Sequence, residues 1–122
     1  MSGTTSGVLF TPNGAMTDLT IYRGKSLRFE VIWGGSTPLD ITGYTATFQA
    51  RSYAGRLMLE LSTVNGRVSN GGADGRLTFV APPAATAGVD AAGTYELELA
   101  TPTGDVYRVI SGRVTIEEET VL

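Results

Sequence analysis

The chain has 122 residues, a length that suits one domain with a single buried core. Its formal net charge is −3, from nine basic and twelve acidic residues, and its only lysine is Lys25. Binding to phosphates requires clustered Lys and Arg, so this mild and scattered charge argues against nucleic acid as a partner.

The sequence contains neither cysteine nor histidine. The first absence excludes disulfides and thiolate metal sites within it, and the second removes the commonest general base and transition-metal ligand. We therefore expect a protein that is not an enzyme, with no catalytic, metal-binding or cofactor-binding residues.

Residues 1–7 lack the basic start and apolar run of a secretory signal. No apolar stretch approaches the roughly 20 residues that a membrane helix needs. We expect a soluble protein that is made in the cytoplasm and has no membrane partner.

Residues 1–17 are rich in Gly, Ser and Thr, and the Pro-Asn-Gly sequence at 12–14 is a turn signal. Val8, Leu9 and Phe10 interrupt this polarity. The segment is either a disordered tail or a flexible arm whose three apolar residues bind a neighbouring subunit. Both interpretations stay open.

From residue 18 onward, apolar and polar residues alternate with the period of two that is typical of half-buried strands. A short first strand contains Leu19 and Ile21, and a second strand is predicted over 26–33. One face of the second strand carries four apolar side chains: Leu27, Phe29, Val31 and Trp33.

The next strands are predicted over 44–51 and 57–62. Met58 falls on the polar face of the latter and Ile32 on the polar face of the second strand, where two such residues could mark a contact patch. The Asn65-Gly66 pair predicts a hairpin turn into a short strand over 67–69, because both positions tolerate positive φ.

Turn residues fill 70–75, and the small residues at 84–88 predict one helical turn that crosses to the other sheet. Gly112 is a possible β-bulge. Alternating apolar residues mark the three remaining strands: Leu77 and Phe79, then Tyr95, Leu97 and Leu99, then Ile110, Val114 and Ile116.

Seven or eight short strands with regular turns predict an all-β fold, an antiparallel immunoglobulin-like β-sandwich over 18–117. It would carry an extended N-terminal arm at 1–17 and a C-terminal tail at 118–122. The turn at 90–95 resembles a tyrosine corner, so we expect the Tyr95 ring to be buried and its hydroxyl bonded to backbone near Asp90. The predicted core is Leu27, Phe29, Val31, Phe48, Leu59, Leu77, Phe79, Tyr95, Leu97 and Val114.

Three groups of polar residues are candidates for a catalytic, metal-binding or partner-binding site. Glu96 and Glu98 lie on one strand face about 7 Å apart, where solvation is a better interpretation than acid–base catalysis. Asn70 and Asp74 indicate a turn rather than a calcium loop. The three glutamates at 117–119 are either a solvated tail or a contact for an arginine-bearing partner.

The order of several motifs resembles a known family. The motifs are Asp-Leu-Thr-Ile-Tyr-Arg-Gly at 18–24, Leu-Asp-Ile-Thr-Gly-Tyr-Thr-Ala at 39–46, Gly-Thr-Tyr-Glu-Leu-Glu-Leu at 93–99 and Arg-Val-Ile-Ser-Gly-Arg-Val-Thr-Ile at 108–116. In this order they resemble the immunoglobulin-like domains of baseplate and tail-fibre-attachment proteins of tailed bacteriophages. The chain is similar in particular to the amino-terminal domain of the baseplate upper protein.

This resemblance implies a non-enzymatic structural protein of the virion, an adaptor in the tail or baseplate. Its partners would be other virion proteins, and several copies would pack in a symmetric assembly. Two alternatives stay open: a capsid decoration protein, and a carbohydrate-binding module that uses the aromatic rings of Tyr22, Tyr53 and Tyr107.

Overall fold

A computed structural model of the chain describes residues 18–33 and 39–117, together with the backbone of residues 8–11 and 15–16. A 3₁₀ turn spans Gly72–Asp74, and one short helix, α1, spans Pro83–Thr86. No helix in these ranges is long and apolar enough to cross a membrane. The strands in these ranges are β1 (Val8–Thr11), β2 (Ala15–Met16), β3 (Leu19–Tyr22), β4 (Leu27–Trp33), β5 (Thr45–Ser52), β6 (Leu57–Ser62), β7 (Val68–Asn70), β8 (Arg76–Ala81), β9 (Gly93–Ala100) and β10 (Val106–Glu117).

The strands form two sheets. The first sheet has the order β1-β4-β8-β7, and the second has the order β2-β10-β9-β5-β6, with β3 also paired to β10. The predicted all-β sandwich is confirmed, and residues 18–117 contribute β3 to β10. The central pairs are antiparallel, as predicted, but β1 pairs with β4, and β2 and β3 pair with β10, in parallel.

The core lies between the two sheets. An aromatic cluster joins them: Phe29 stacks on Phe79 in the first sheet, with ring centroids 4.6 Å apart. Phe48 of the second sheet meets Phe29 edge-on at 5.6 Å and packs on Tyr95 at 5.3 Å. Every predicted core residue is buried, which confirms the predicted core: Leu27, Phe29, Val31, Phe48, Leu59, Leu77, Phe79, Tyr95, Leu97 and Val114.

Two β-bulges change which side chains point inward. The ladder between β5 and β6 shifts at Ala50, which leaves Met58 as the extra residue, and Met58 is buried with 8% of its surface exposed. The prediction of an exposed Met58 beside Ile32 was therefore wrong. The bulge in β10 falls at Val109, which is also buried, and the proposed bulge at Gly112 was wrong because Gly112 pairs regularly with Tyr95.

The Asn65-Gly66 pair lies in a connection between sheets, so the predicted hairpin was wrong. Strand β6 pairs with β5 in the second sheet, whereas β7 pairs with β8 in the first. Gly66 has the expected positive φ of 82°. The Asn65 carboxamide oxygen accepts hydrogen bonds from the backbone amides of Ser62 and Arg67, both at 3.0 Å. The positive φ predicted for the pair is found at Gly66 but not at Asn65, and the predicted strand pairing was wrong.

The predicted turn at 70–75 is confirmed, and it holds the connection between β4 and β5 in place. Asn70 donates from Nδ2 to the carbonyl oxygens of Ile41, at 2.8 Å, and Tyr44, at 3.0 Å. Its Oδ1 accepts from the Gly72 amide at 2.7 Å, and the Ile41 amide in turn donates to the Gly72 carbonyl at 3.0 Å. The Leu-Asp-Ile-Thr-Gly-Tyr motif is therefore anchored through Asn70.

The core assignment predicts large losses of stability on truncation. Phe29→Ala and Leu97→Ala each remove a buried side chain and should lower the free energy of unfolding by about 2–5 kcal/mol. Val80→Ala, on the outer face of the first sheet and 43% exposed, is the matched control and should change it by less than about 1 kcal/mol. Equal urea midpoints for all three variants would contradict the packing described here.

The Asn70 contacts predict a specific polar requirement. Asn70→Asp keeps the acceptor for Gly72 but loses both donated bonds and turns a carboxylate toward two carbonyl oxygens. The free energy of unfolding should fall by about 1–3 kcal/mol. Asn65→Asp is the comparison variant. Its Oδ1 still accepts from Ser62 and Arg67, and it loses one exposed donated bond, to the Glu60 carbonyl, rather than two. Chemical denaturation should show a much smaller loss for that variant.

Candidate protein-interaction surfaces

The residues predicted to bind a partner, Val8, Leu9 and Phe10, have their backbone in β1 at the edge of the first sheet. There β1 runs parallel to β4, and Phe10 is in register with Ile32. The structure thus places these residues beside the body of their own chain. Their contact with a neighbouring protein stays a prediction.

The amino-terminal strands cover one edge of each sheet. Strand β1 lies along the edge of β4, and β2 and β3 lie along the edge of β10. Uncovered sheet edges present unpaired backbone groups that recruit other strands. This covering leaves β7 and β6 as the opposite edges of the described sheets.

The outer face of the second sheet carries a row of polar side chains that crosses four strands. Glu60, Gln49, Glu96 and Ser111 are successive register partners across β6, β5, β9 and β10. An open hollow of about 520 Å³ lies over this face. Its lining comes from three strands: Gln49, Arg51, Thr94, Tyr95, Glu96, Ser111, Gly112 and Arg113.

Hydrogen bonds fix part of this polar row. The Gln49 amide donates to Glu60 Oε2 at 2.7 Å, and Arg51 donates to Gln49 Oε1 at 3.2 Å. Glu96 Oε2 accepts from Arg108 Nη1 at 2.9 Å. These contacts hold the side chains across the strands and leave the face flat and polar.

Two charged side chains on the same face take no part in these hydrogen bonds. Within residues 18–33 and 39–117, neither Arg113 nor Glu98 has a hydrogen-bond or ion-pair partner. The outer face of the first sheet differs, because Glu30 there contacts Arg76 at 2.6 Å and Arg28 at 3.7 Å. Among the described residues, the second sheet therefore presents charged side chains that no hydrogen bond or ion pair engages.

The polar residues considered above as catalytic or metal-binding candidates do not form such a site within the described part of the chain. Glu96 and Glu98 point to solvent as predicted, and Glu96 is paired with Arg108. Asn70 and Asp74 bond to nearby backbone: Asp74 Oδ1 accepts from the Arg76 amide at 2.9 Å. Among the residues that the structure describes, no three His, Cys, Asp or Glu side chains come together as metal ligands. Of the glutamate run, only Glu117 lies within the described residues.

The three tyrosines considered for sugar binding are separated by the sheet register. Tyr22 is in register with Glu117 at the carboxyl end of β10, and Tyr53 follows β5 at that same end of the sandwich. Tyr107 pairs with Leu99 at the start of β10. The rise of a strand puts Tyr107 on the order of 20 Å or more from the other two. The three rings cannot stack on one small glycan.

The end of the sandwich near Tyr53 is tied by an ion pair and by a buried tyrosine. Arg56, in the turn after β5, bonds the Asp90 carboxylate and holds the pKa of Asp90 below its usual range. Burial raises the pKa of Tyr95, and the negative charge of Asp18 raises it further. The buried ring agrees with the predicted tyrosine corner, while a hydroxyl bond to backbone near Asp90 stays a prediction.

Tyr95 predicts a loss of stability at alkaline pH. Because folding raises its pKa, the neutral phenol contributes stability that is full below pH 10, the usual pKa, and is lost as the pH rises above that value. Tyr95→Phe should lower the free energy of unfolding by about 1 kcal/mol at pH 7 and flatten its decline above pH 10. Urea titrations from pH 7 to 11 measure both effects. An unchanged alkaline decline in the variant would show that another group causes it.

Comparisons with known proteins show likeness in fold alone. No protein-family model matches the chain, and no curated protein matches it. The N-terminal domain of phage TP901-1 ORF48 is similar in structure, with a TM-score of 0.55 and 14% sequence identity over 91% of this chain and 98% of that domain. Extracellular domains 3–5 of Drosophila OTK match with a TM-score of 0.41 and 16% identity, over 88% of this chain and 35% of that one. The fold of this chain thus resembles a complete domain of a phage protein.

Proposed function

We propose that the chain is a non-enzymatic structural protein of a tailed bacteriophage, an adaptor that assembles in several copies in the tail or baseplate. The observation that carries this proposal is the structural match to the ORF48 domain, which spans 98% of that domain. At 14% identity the match establishes fold only. The step to function also rests on the motifs over 18–117, whose order resembles immunoglobulin-like baseplate domains.

The proposal assigns the partners and the location. Other virion proteins contact the domain, and the chain is made in the host cytoplasm and ends in the virion. Residues 18–117 form the sandwich, residues 1–17 act as an arm whose strands cover the sheet edges, and residues 118–122 are a tail. Neither nucleic acid nor a membrane is a partner.

The arrangement of charges supports a docking role for the outer face of the second sheet. Arg51, Thr94 and Arg113 are register partners in one row, and Arg51 is held by bonds to the Gly55 carbonyl and Gln49. Arg113 is left for a neighbour that presents a carboxylate. A charge-assisted hydrogen bond of this kind is shorter and stronger than a neutral one and has strict geometry, so it fixes how the neighbour sits.

The same geometry supports a role without catalysis. Glu96 is paired with Arg108 in an exposed setting, and Glu98, the register partner of Arg108, is exposed as well. An acid–base pair works in a site that excludes water, whereas both carboxylates here are exposed on an open strand face.

Labelled virions test the location directly. A short epitope inserted at Tyr53 lies in an exposed turn, since 70% of the Tyr53 surface is accessible. Gold-labelled antibody should mark the tail tip of particles made from a complemented deletion. Label on the capsid would favour the decoration alternative, and unlabelled particles would overturn a virion role. A glycan array with the purified chain tests the carbohydrate-binding alternative.

Charge reversal tests the docking face. Arg113→Glu should leave the melting temperature nearly unchanged, because Arg113 has no partner among the described residues. Incorporation into particles should fall about tenfold or more, the loss expected for a charge-assisted contact of about 1.5–3 kcal/mol. Arg28→Glu on the outer face of the first sheet is the charge-reversal control. Because Arg28 contacts Glu30 at 3.7 Å, the melting temperature of this variant is measured as well. Quantitative immunoblots of purified particles should show a drop only for Arg113→Glu, and equal drops would contradict the assignment of the face.

A further inference from the structure

We propose that β1 is exchanged between copies of this chain, so that Val8–Thr11 of one copy pairs with β4 of the next. This inference rests on the proposed function for its setting, an assembly of several copies. Its geometric basis is the chain alone: the way β1 joins the first sheet, and the ladder with β8 that holds β4 on its other side.

The pairing of β1 does not tie it to its own domain through a turn. The ladder with β4 is parallel, from Val8 beside Glu30 to Thr11 beside Trp33. Parallel neighbours cannot be joined by a hairpin, and the next strand along the chain, β2, pairs with β10 in the other sheet. Backbone hydrogen bonds to β4 are thus the described attachment of β1, and any strand of the same sequence makes the same bonds.

Strand β4 keeps a partner when β1 is supplied from elsewhere. Its six-pair antiparallel ladder with β8 runs from Leu27 beside Ala81 to Ile32 beside Arg76. Three of its side chains belong to the buried cluster between the sheets: Leu27, Phe29 and Val31. Departure of β1 therefore uncovers one edge of β4 and leaves the ladder with β8 in place.

The uncovered edge then needs a strand. Backbone amides and carbonyls of an edge strand recruit another strand, and an identical segment from a second copy restores the original bonds in the original register. Each copy both donates β1 and offers β4. Reciprocal exchange closes a pair, and exchange in one direction builds a ring or an open chain of copies.

Disulfide trapping distinguishes exchange from closure within one chain. The sequence has no cysteine, so introduced pairs are the only thiols present. Phe10 and Ile32 are register partners in the β1–β4 ladder. The whole chain carrying Phe10→Cys is mixed with a size-tagged chain carrying Ile32→Cys in a glutathione redox buffer. Exchange predicts that the mixed dimer forms at least tenfold above the level of a control mixture.

The control uses the other parallel edge. Thr20 and Thr115 are register partners on β3 and β10, with their hydroxyl oxygens 3.0 Å apart. A mixture of Thr20→Cys and Thr115→Cys chains gives the background for random collision. The double variant Thr20→Cys/Thr115→Cys should form its disulfide within one chain, whereas Phe10→Cys/Ile32→Cys should yield covalent dimers and larger species.

Two outcomes would overturn the exchange. One is a mixed dimer at the control level together with a purely monomeric disulfide in Phe10→Cys/Ile32→Cys. The other is the absence of any disulfide in that double variant, which would contradict the β1–β4 pairing itself. The cross-link is scored on purified chain and the gold label on particles. Failure of the exchange and failure of the virion role are therefore separate results.

Discussion

Contact between two pairs of aromatic rings holds the sandwich together, and the surfaces of the molecule follow from it. Phe29 and Phe79 lie side by side in the first sheet, and Phe48 and Tyr95 do so in the second. Phe48 spans the gap, 5.6 Å from Phe29 and 6.3 Å from Phe79. Because side chains alternate across a strand, rings that point inward oblige their chain neighbours to point outward. Glu96, next to Tyr95, is thereby fixed on the outer face of the second sheet.

The parts of the fold that depend on local sequence were predictable, and the parts that depend on a partner strand were not. Period-two alternation is a property of each strand alone, so it identified Phe48 and Leu97 as core without knowledge of their neighbours. Met58 is buried because β5 and β6 shift register by one residue, and that shift is set by the pairing. Likewise Gly66 has the positive φ that its sequence indicates, but no residue of that turn states which sheet β7 joins.

The candidate surfaces likewise combine features that depend on local sequence with features that depend on strand pairing. Alternation places Arg113 on the outer face of β10, but it would place Arg108, five residues earlier, on the opposite face. The bulge at Val109 brings Arg108 to the outer face as well. The cross-strand geometry decides that Arg108 meets Glu96 at 2.9 Å and that Arg113 meets no acidic group among the described residues. The position of Val8–Thr11 was equally beyond the sequence, since a parallel edge pairing leaves no hairpin signal. The candidate interaction surfaces consist of groups that the sheets leave unpaired. Only the tertiary structure determines which groups those are.

The two edges that carry parallel strands, β1 beside β4 and β3 beside β10, are attached to the sandwich in different ways. Strand β3 places Leu19 and Ile21 in the core and turns directly into β4 through a bond from the Lys25 amide to the Tyr22 carbonyl. That edge is fastened by buried side chains and by chain connectivity. Strand β1 is attached through its ladder to β4, which any copy of the segment can supply. An uncovered β4 edge could pair with strands of many sequences. Pairing in one register with β1 restricts that edge to copies of this chain. In the proposed exchange, the strand that pairs with β4 in an isolated chain is thus the element that links one copy to the next.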